Sequence, residues 1–144
     1  MFKPKNDASA SMFLNLGRDM IAENTLRRVP EGWAVTLRMP FYTSFTLASI
    51  TGAALCVNGT EVASEKLLLR LREQVFPLQY VSTIHEVYWH MGETAELVAL
   101  ETDLPVQDVN EVRVQLCVRP GFEGYLLANP DGIPYDETRQ MEVQ

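Results

Sequence analysis

The chain has 144 residues, of which 47% are hydrophobic and 22% are charged, and its formal net charge is −7. This length is typical of a single domain and is sufficient to bury a core without a disulfide or a structural metal. The excess of acidic residues argues against nucleic acid or an anionic membrane as the main partner, because both are bound through clustered Lys and Arg.

The termini predict two flanking segments around one domain. We expect residues 1–19 to form an N-terminal arm, residues 20–128 to form the domain, and residues 129–144 to form an acidic, proline-containing C-terminal tail. The first residues lack the apolar core of a signal peptide, and no run of 18 apolar residues is present. These features predict a soluble, cytoplasmic protein.

Strand signals dominate the predicted domain. Apolar and polar residues alternate over 33–39 and 112–119, which is the period of a strand with one buried face. The Asn58-Gly59 pair between two apolar runs predicts a type I′ hairpin turn, because both turn positions require a positive φ. Further strands are predicted at 21–29, 66–71 and 95–101. The pattern indicates an all-β fold, an antiparallel β-sandwich with at most one short helix.

The segment from Thr83 to Gly92 has two interpretations. Thr83 and Glu86 have the spacing of a capping box, and Gly92 would end the short helix that it begins. A strand over residues 86–90 fits the same sequence equally well. Both alternatives stay open at this point.

The groups that could support chemistry are few. Cys56 and Cys117 lie in apolar strand-like segments without zinc-site spacing, so we expect two buried free thiols. His85 and His90 are five residues apart. With this spacing they would not share a face in either a helix or a strand. A metal enzyme centred on these histidines and Glu86 is therefore a minor alternative. We expect no catalytic residue and no metal ligand in this chain.

Aromatic residues cluster in two stretches, one with Phe41, Tyr42 and Phe45, the other with Phe76, Tyr80, Tyr88 and Trp89. Residues 39–60 and 74–84 contain no charged side chain. Loops are usually polar, so uncharged aromatic connections must be covered. They either fold over the core of their own domain or contact a partner, for which Tyr and Trp are common anchors. A sugar-stacking surface is a further interpretation.

The order of these segments resembles the small β subunit of bacterial C-glycoside deglycosidases. The resemblance rests on the step from Arg38 to Tyr42, the hairpin at residues 57–62, and the turn from Trp89 to Gly92 before a strand. It covers roughly residues 20–120. Thr43-Ser44 follows Tyr42 where the family pattern has Arg-Gly.

The resemblance implies a specific assembly. The chain would be the non-catalytic subunit of a heteromeric lyase that cleaves 3-keto C-glycosides by β-elimination. The larger catalytic subunit would be a TIM-barrel-like protein that holds a divalent metal, expected to be manganese. The small subunit would stabilise the barrel and help to close its active site. We expect no cofactor in the small subunit itself.

The predicted interface with the barrel consists of Phe41, Tyr42, Phe45, Tyr88, Trp89 and His90. An alternative from another class is a carbohydrate-binding β-sandwich module whose aromatic loops stack on sugar rings.

Overall fold

The structure is a computed structural model that describes residues 19–39, 44–100, 103–119 and 132–144. The strands in these ranges are β1 (Thr25–Val29), β2 (Gly32–Arg38), β3 (Phe45–Thr46), β4 (Ile50–Val57), β5 (Thr60–Glu61), β6 (Leu67–Leu71), β7 (Gln74–Pro77), β8 (Tyr88–Trp89), β9 (Thr94–Ala99), β10 (Val109–Val118) and β11 (Ile133–Val143). Three 3₁₀ helices span Leu47–Ser49, Ser64–Lys66 and Leu78–Thr83. The predicted all-β fold is confirmed.

Nine strands form one sheet in the order β5-β4-β10-β11-β1-β2-β9-β6-β7, while β3 and β8 form a separate pair. Among the described strands, β1 and β11 are the one parallel pair, and all other pairings are antiparallel. Leu55 and Val114 from one half of the sheet belong to the same buried cluster as Val35 and Leu97 from the other half. The sheet therefore curls over a shared core as a β-sandwich.

The hairpin predicted from Asn58-Gly59 joins β4 to β5. Asn58 has a φ of 49° and Gly59 a φ of 84°, as a type I′ turn requires. The Asn58 side chain also donates from Nδ2 to the Pro105 carbonyl at 2.6 Å and to Asn110 Oδ1 at 2.8 Å. These bonds fix the segment before β10 against the hairpin.

The C-terminal residues 133–143, which the sequence analysis placed in a tail, form an interior strand of the sheet. β11 pairs with β10 from Ile133 to Glu142, and with β1 on its other side. The boundary that we predict at residues 128/129 lies outside the described residues, as do residues 1–18 of the predicted arm. The composition of this segment does not predict a strand, because polar side chains occupy part of the inward face of β11.

Glu137 illustrates this polar inward face. It lies opposite the fully buried Val114, and its Oε1 accepts hydrogen bonds from the backbone N–H of Met20 at 2.9 Å and of Ile21 at 3.2 Å. Arg139, two residues further along, donates to the Ile21 carbonyl at 3.0 Å. The two side chains thus form hydrogen bonds with the backbone of the buried residues Met20 and Ile21, in the way that an adjacent strand would.

Of the two alternatives for residues 83–92, the strand is the one that forms, but it spans Tyr88–Trp89 rather than the predicted residues 86–90. A 3₁₀ helix ends at Thr83, whose Oγ1 donates back to the Tyr80 carbonyl at 2.7 Å, and β8 follows at Tyr88. Cys56 and Cys117 are free thiols, as expected, but they are half-buried rather than fully buried. In the described ranges no helix is long and apolar enough to cross a membrane.

Candidate functional site

The candidate site is built on the short β3–β8 pair and on residues 88–93, which we call the aromatic turn. Phe45 pairs with Trp89, and the Leu47 N–H extends the pairing by donating to the Val87 carbonyl at 2.9 Å. Trp89 is 0% exposed and Phe45 is 6% exposed, and both belong to the main core. The two buried rings therefore anchor the turn to the sandwich.

The outer side of the aromatic turn carries an exposed patch, which we define as Tyr88, His90 and Met91. Tyr88 is 48% exposed and Met91 is 50% exposed. The rings of Tyr88 and His90 are stacked, with centroids 6.0 Å apart and planes 10° apart. Aromatic and Met side chains are enriched in protein–protein interfaces, so this patch has the composition of a partner surface.

Hydrogen bonds close the aromatic turn from both sides. The Met91 N–H donates to Ser44 Oγ at 3.1 Å, and His90 Nδ1 lies 3.3 Å from the same oxygen. The His90 N–H donates to Glu93 Oε1 at 3.0 Å, and Trp89 Nε1–H donates to the Glu93 carbonyl at 2.9 Å. The patch is consequently presented on a fixed backbone.

Arg72, at the tip of the β6–β7 hairpin, holds the free edge of β8. In an antiparallel pair of strands, residues that bond across the pair alternate with residues that do not. Leu47 and Val87 bond across the β3–β8 pair, so the N–H and carbonyl of the adjacent Tyr88 point away from β3. The Arg72 guanidinium donates to the Tyr88 carbonyl at 2.9 Å and also binds both carboxylate oxygens of Glu93. Sequence analysis missed Arg72, since it lies 21 residues from Glu93 and no local pattern links the two.

The charge of Glu93 is compensated within the site. Burial raises the pKa of Glu93, but hydrogen bonds from Arg72 and from the His90 N–H together outweigh it, so its pKa lies below the ordinary value. Glu93 is therefore an ionised carboxylate at neutral pH. Because Glu93 is paired with Arg72, its negative charge is neutralised beside the exposed patch.

The predicted interface residues fall into three groups. Phe41 and Tyr42 lie outside the described residues. Phe45 and Trp89 are buried under the turn, whereas Tyr88 and His90 are exposed. The structure thus brings four of the six together in one place, two as supports and two at the surface. Their contact with a partner stays a prediction.

The histidines do not assemble a metal centre in the part of the chain that the structure describes. His85 and Glu86 are exposed on the connection that leads to β8, while His90 contacts Ser44. Within that part, no group of three or more His, Cys, Asp or Glu side chains is placed to hold a metal ion.

Two comparisons relate the chain to known proteins. A family model described as C-glycoside deglycosidase beta subunit matches residues 16–122, which include the hairpin, Arg72 and the aromatic turn. A C-glycoside deglycosidase beta subunit from Arthrobacter globiformis is 27% identical over 79 residues. That alignment covers 55% of this chain and 60% of the relative, so the chain matches less than two thirds of the relative's length.

Proposed function

Because this chain belongs to the C-glycoside deglycosidase beta subunit family, we propose that it is the non-catalytic subunit of a heteromeric C-glycoside lyase. The partner in this proposal is a larger TIM-barrel-like subunit that holds a divalent metal, manganese, and supplies the catalytic residues. The substrate is a 3-keto C-glycoside. Its ketone acidifies the neighbouring C–H, and β-elimination then breaks the bond between sugar and aglycone.

The observation that supports a docking role most strongly is the exposed patch on a fixed turn. Tyr88 and Met91 each expose about half of their surface, although the Tyr88 carbonyl and the Met91 N–H beneath them are hydrogen-bonded. Binding through a segment that is already ordered avoids most of the entropy cost of ordering it. The arrangement suits Tyr88 and Met91 as anchors that become buried when the barrel binds.

A second role is suggested by the position of the patch on the separate β3–β8 pair and the turn that follows it, rather than on the nine-stranded sheet. We propose that the aromatic turn covers part of the barrel's substrate pocket and reduces its access to water. Exclusion of water strengthens electrostatic interactions within an active site. In this role Tyr88 and His90 assist the reaction without taking part in it.

Co-expression with the barrel subunit tests the proposal. The wild-type chain and a Val109→Ala variant, which alters an exposed residue at the start of β10, are expected to co-purify with the barrel. Tyr88→Ala and Met91→Ala are expected to weaken the complex, because each removes an anchor. A chain that is soluble and monomeric alone, and that never co-purifies with a barrel-type partner, would show the proposal to be wrong.

One observation supports the alternative that the chain is a carbohydrate-binding module. The Tyr88–His90 stack presents exposed ring surface of the kind on which sugars pack. Trp89 cannot act in this way because it is fully buried. Glycan binding by the isolated chain, retained without any barrel subunit and lost in Tyr88→Ala, would favour this alternative.

A further inference from the structure

The side-chain amide of Asn58 is hydrogen-bonded through both its nitrogen and its oxygen. Nδ2 donates to the Pro105 carbonyl at 2.6 Å and to Asn110 Oδ1 at 2.8 Å. Oδ1 accepts from the Glu111 N–H at 2.9 Å. Both N–H groups of the amide and one lone pair of its oxygen are therefore engaged. We call this side chain and its three partners the amide latch.

The orientation of the Asn110 amide within the latch is fixed. Asn110 is 0% exposed, its Oδ1 also accepts from the Gln107 N–H at 2.7 Å, and its Nδ2 donates to the Gln107 carbonyl at 2.9 Å. Rotation of this amide by half a turn would bring donor to donor and acceptor to acceptor at both contacts. Asn110 therefore presents an acceptor to position 58, as the Pro105 carbonyl does.

The amide latch connects segments that are far apart in the sequence. Asn58 lies in the turn between β4 and β5, whereas Asn110 is the second residue of β10 and Pro105 lies on the connection from β9 to β10. On that connection, Leu104 is 7% exposed and belongs to the main core. Loss of the donor at position 58 would therefore loosen a segment that contributes a side chain to the core.

Asn58 is also the residue at which deamidation is chemically favoured. It belongs to the one Asn-Gly pair in the sequence. Deamidation begins when the backbone nitrogen of the next residue attacks the side-chain amide carbon, and glycine hinders this attack least because it has no Cβ. Gly59 is exposed, and among the described residues beyond its chain neighbours no heavy atom lies within 4 Å of the position that a Cβ would take.

The reaction requires the Asn58 amide to leave the latch. The Gly59 nitrogen forms a bond to Asn58 Cγ and loses its proton, and Nδ2 departs as ammonia, which leaves a cyclic imide. Water then opens the imide at either carbonyl and yields aspartate or isoaspartate. In the folded chain, two hydrogen bonds hold the departing nitrogen and a third holds the amide oxygen. Attack on Cγ therefore requires a local opening that breaks these bonds.

We propose that Asn58 is a deamidation site that the amide latch protects in the folded chain, and that its conversion to aspartate or isoaspartate permanently opens the latch. The product carboxylate has no N–H to donate. It would face the oxygens of Pro105 and Asn110 and leave both acceptors without their donor, which is costly in a partly buried site. A chain that has reacted therefore cannot close the latch again.

The rate of conversion tests the protection. The full-length chain is incubated folded in buffer and unfolded in guanidinium chloride at the same pH and temperature, and peptide mapping by mass spectrometry measures aspartate and isoaspartate at position 58. Conversion in the folded chain is expected to be at least about tenfold slower, because it requires opening. Asn24, which precedes the β-branched Thr25, is the internal control and is expected to convert slowly in both samples. Equal rates at Asn58 in the two samples would overturn the inference.

Two matched aspartate variants, Asn58→Asp and Asn24→Asp, test the effect on the latch. Both introduce the same charge, but Asn24 Oδ1 accepts from the Arg139 guanidinium at 2.9 Å, so an aspartate there keeps its donor. Asn58→Asp is expected to lower the ratio of folded to unfolded chain by at least about tenfold, since two acceptors lose their donor. Asn24→Asp is expected to leave this ratio within about twofold. An Asn58→Asp chain as stable as the wild type would show that the latch does not depend on the amide and would refute the inference.

Discussion

Arg72 and Glu93 form an ion pair that joins the tip of the β6–β7 hairpin to the aromatic turn. Arg72 has a φ of 50°, a conformation that is uncommon outside glycine and is set here by the two-residue hairpin turn. From this position its guanidinium reaches both Glu93 and the Tyr88 carbonyl. The hairpin therefore contributes, with Ser44 and β3, to fixing the backbone that carries the exposed patch.

Replacement of Arg72 by Met is expected to lower the free energy of unfolding by about 1 kcal/mol, because a hydrogen-bonded but partly exposed ion pair is lost. Urea unfolding measures the change. Arg113, which is exposed to a similar degree and pairs with Asp136, provides the control. Arg113→Met is expected to have the smaller effect, because Arg72 also donates a hydrogen bond to the Tyr88 carbonyl. A larger effect at Arg113 would contradict the role assigned to Arg72.

The Glu93 contribution to stability is expected to disappear in acid. Its folded-state pKa lies below the ordinary value of 4.5, so its contribution is present above pH 4.5 and is lost as the pH falls through the folded-state pKa. Wild-type and Glu93→Gln unfolding free energies should differ at neutral pH and converge at low pH. A difference that is constant across the titration would exclude Glu93 as its source.

Glu137 is expected to show the opposite pH dependence. Burial raises its pKa above the ordinary value of 4.5, although hydrogen bonds from the Ile21 N–H and the charge of Arg139 act against this. Since the folded state then holds the proton more tightly, the stability linked to Glu137 falls as the pH rises from 4.5 through the raised pKa. The Glu137→Gln variant should lack this component in a pH series of unfolding measurements.

The backbone contacts of Glu137 can be separated from its charge. Glu137→Gln retains an oxygen that can accept from Met20 and Ile21, whereas Glu137→Ala leaves two backbone N–H groups of fully buried residues without an acceptor. We expect Glu137→Ala to cost about 1–3 kcal/mol more than Glu137→Gln. Equal unfolding free energies for the two variants would show that these hydrogen bonds contribute nothing.

Substitution of Trp89 is expected to affect folding before it affects binding. Trp89→Ala removes a fully buried ring and should cost about 3–5 kcal/mol. Trp89→Phe keeps most of the packing and loses the bond from Nε1–H to the Glu93 carbonyl, so its cost should be much smaller. Thermal unfolding compares the two. A Trp89→Ala protein with unchanged stability would contradict the anchoring role.

Much of the sheet was accessible from sequence because its signals are local. The alternation around Val35 and Val114 predicts β2 and β10, and Asn58-Gly59 predicts the hairpin, since each pattern reflects one buried face or one turn. The sequence of β11 does not predict a strand, because Glu137 and Arg139 on its inward face are polar. They bind the backbone of Met20 and Ile21, and Arg139 also binds the Asn24 side chain.

The candidate site was predicted only in part for a related reason. Sequence identifies Tyr88 and Trp89 as neighbouring aromatic residues, but their alternate directions depend on the pairing of β8 with β3, which is a contact between distant segments. The link from Arg72 to Glu93 is equally nonlocal. Composition predicted the cluster, and tertiary pairing decides which rings are exposed.

We have proposed that this chain docks on a catalytic subunit through the exposed patch. Sedimentation velocity of the purified chain mixed with the proposed barrel-type subunit is the decisive test. We expect one heteromeric species with the wild-type chain and separate species with the Tyr88→Ala/Met91→Ala double variant. Separate species with the wild-type chain, or an unchanged complex with the folded double variant, would contradict it.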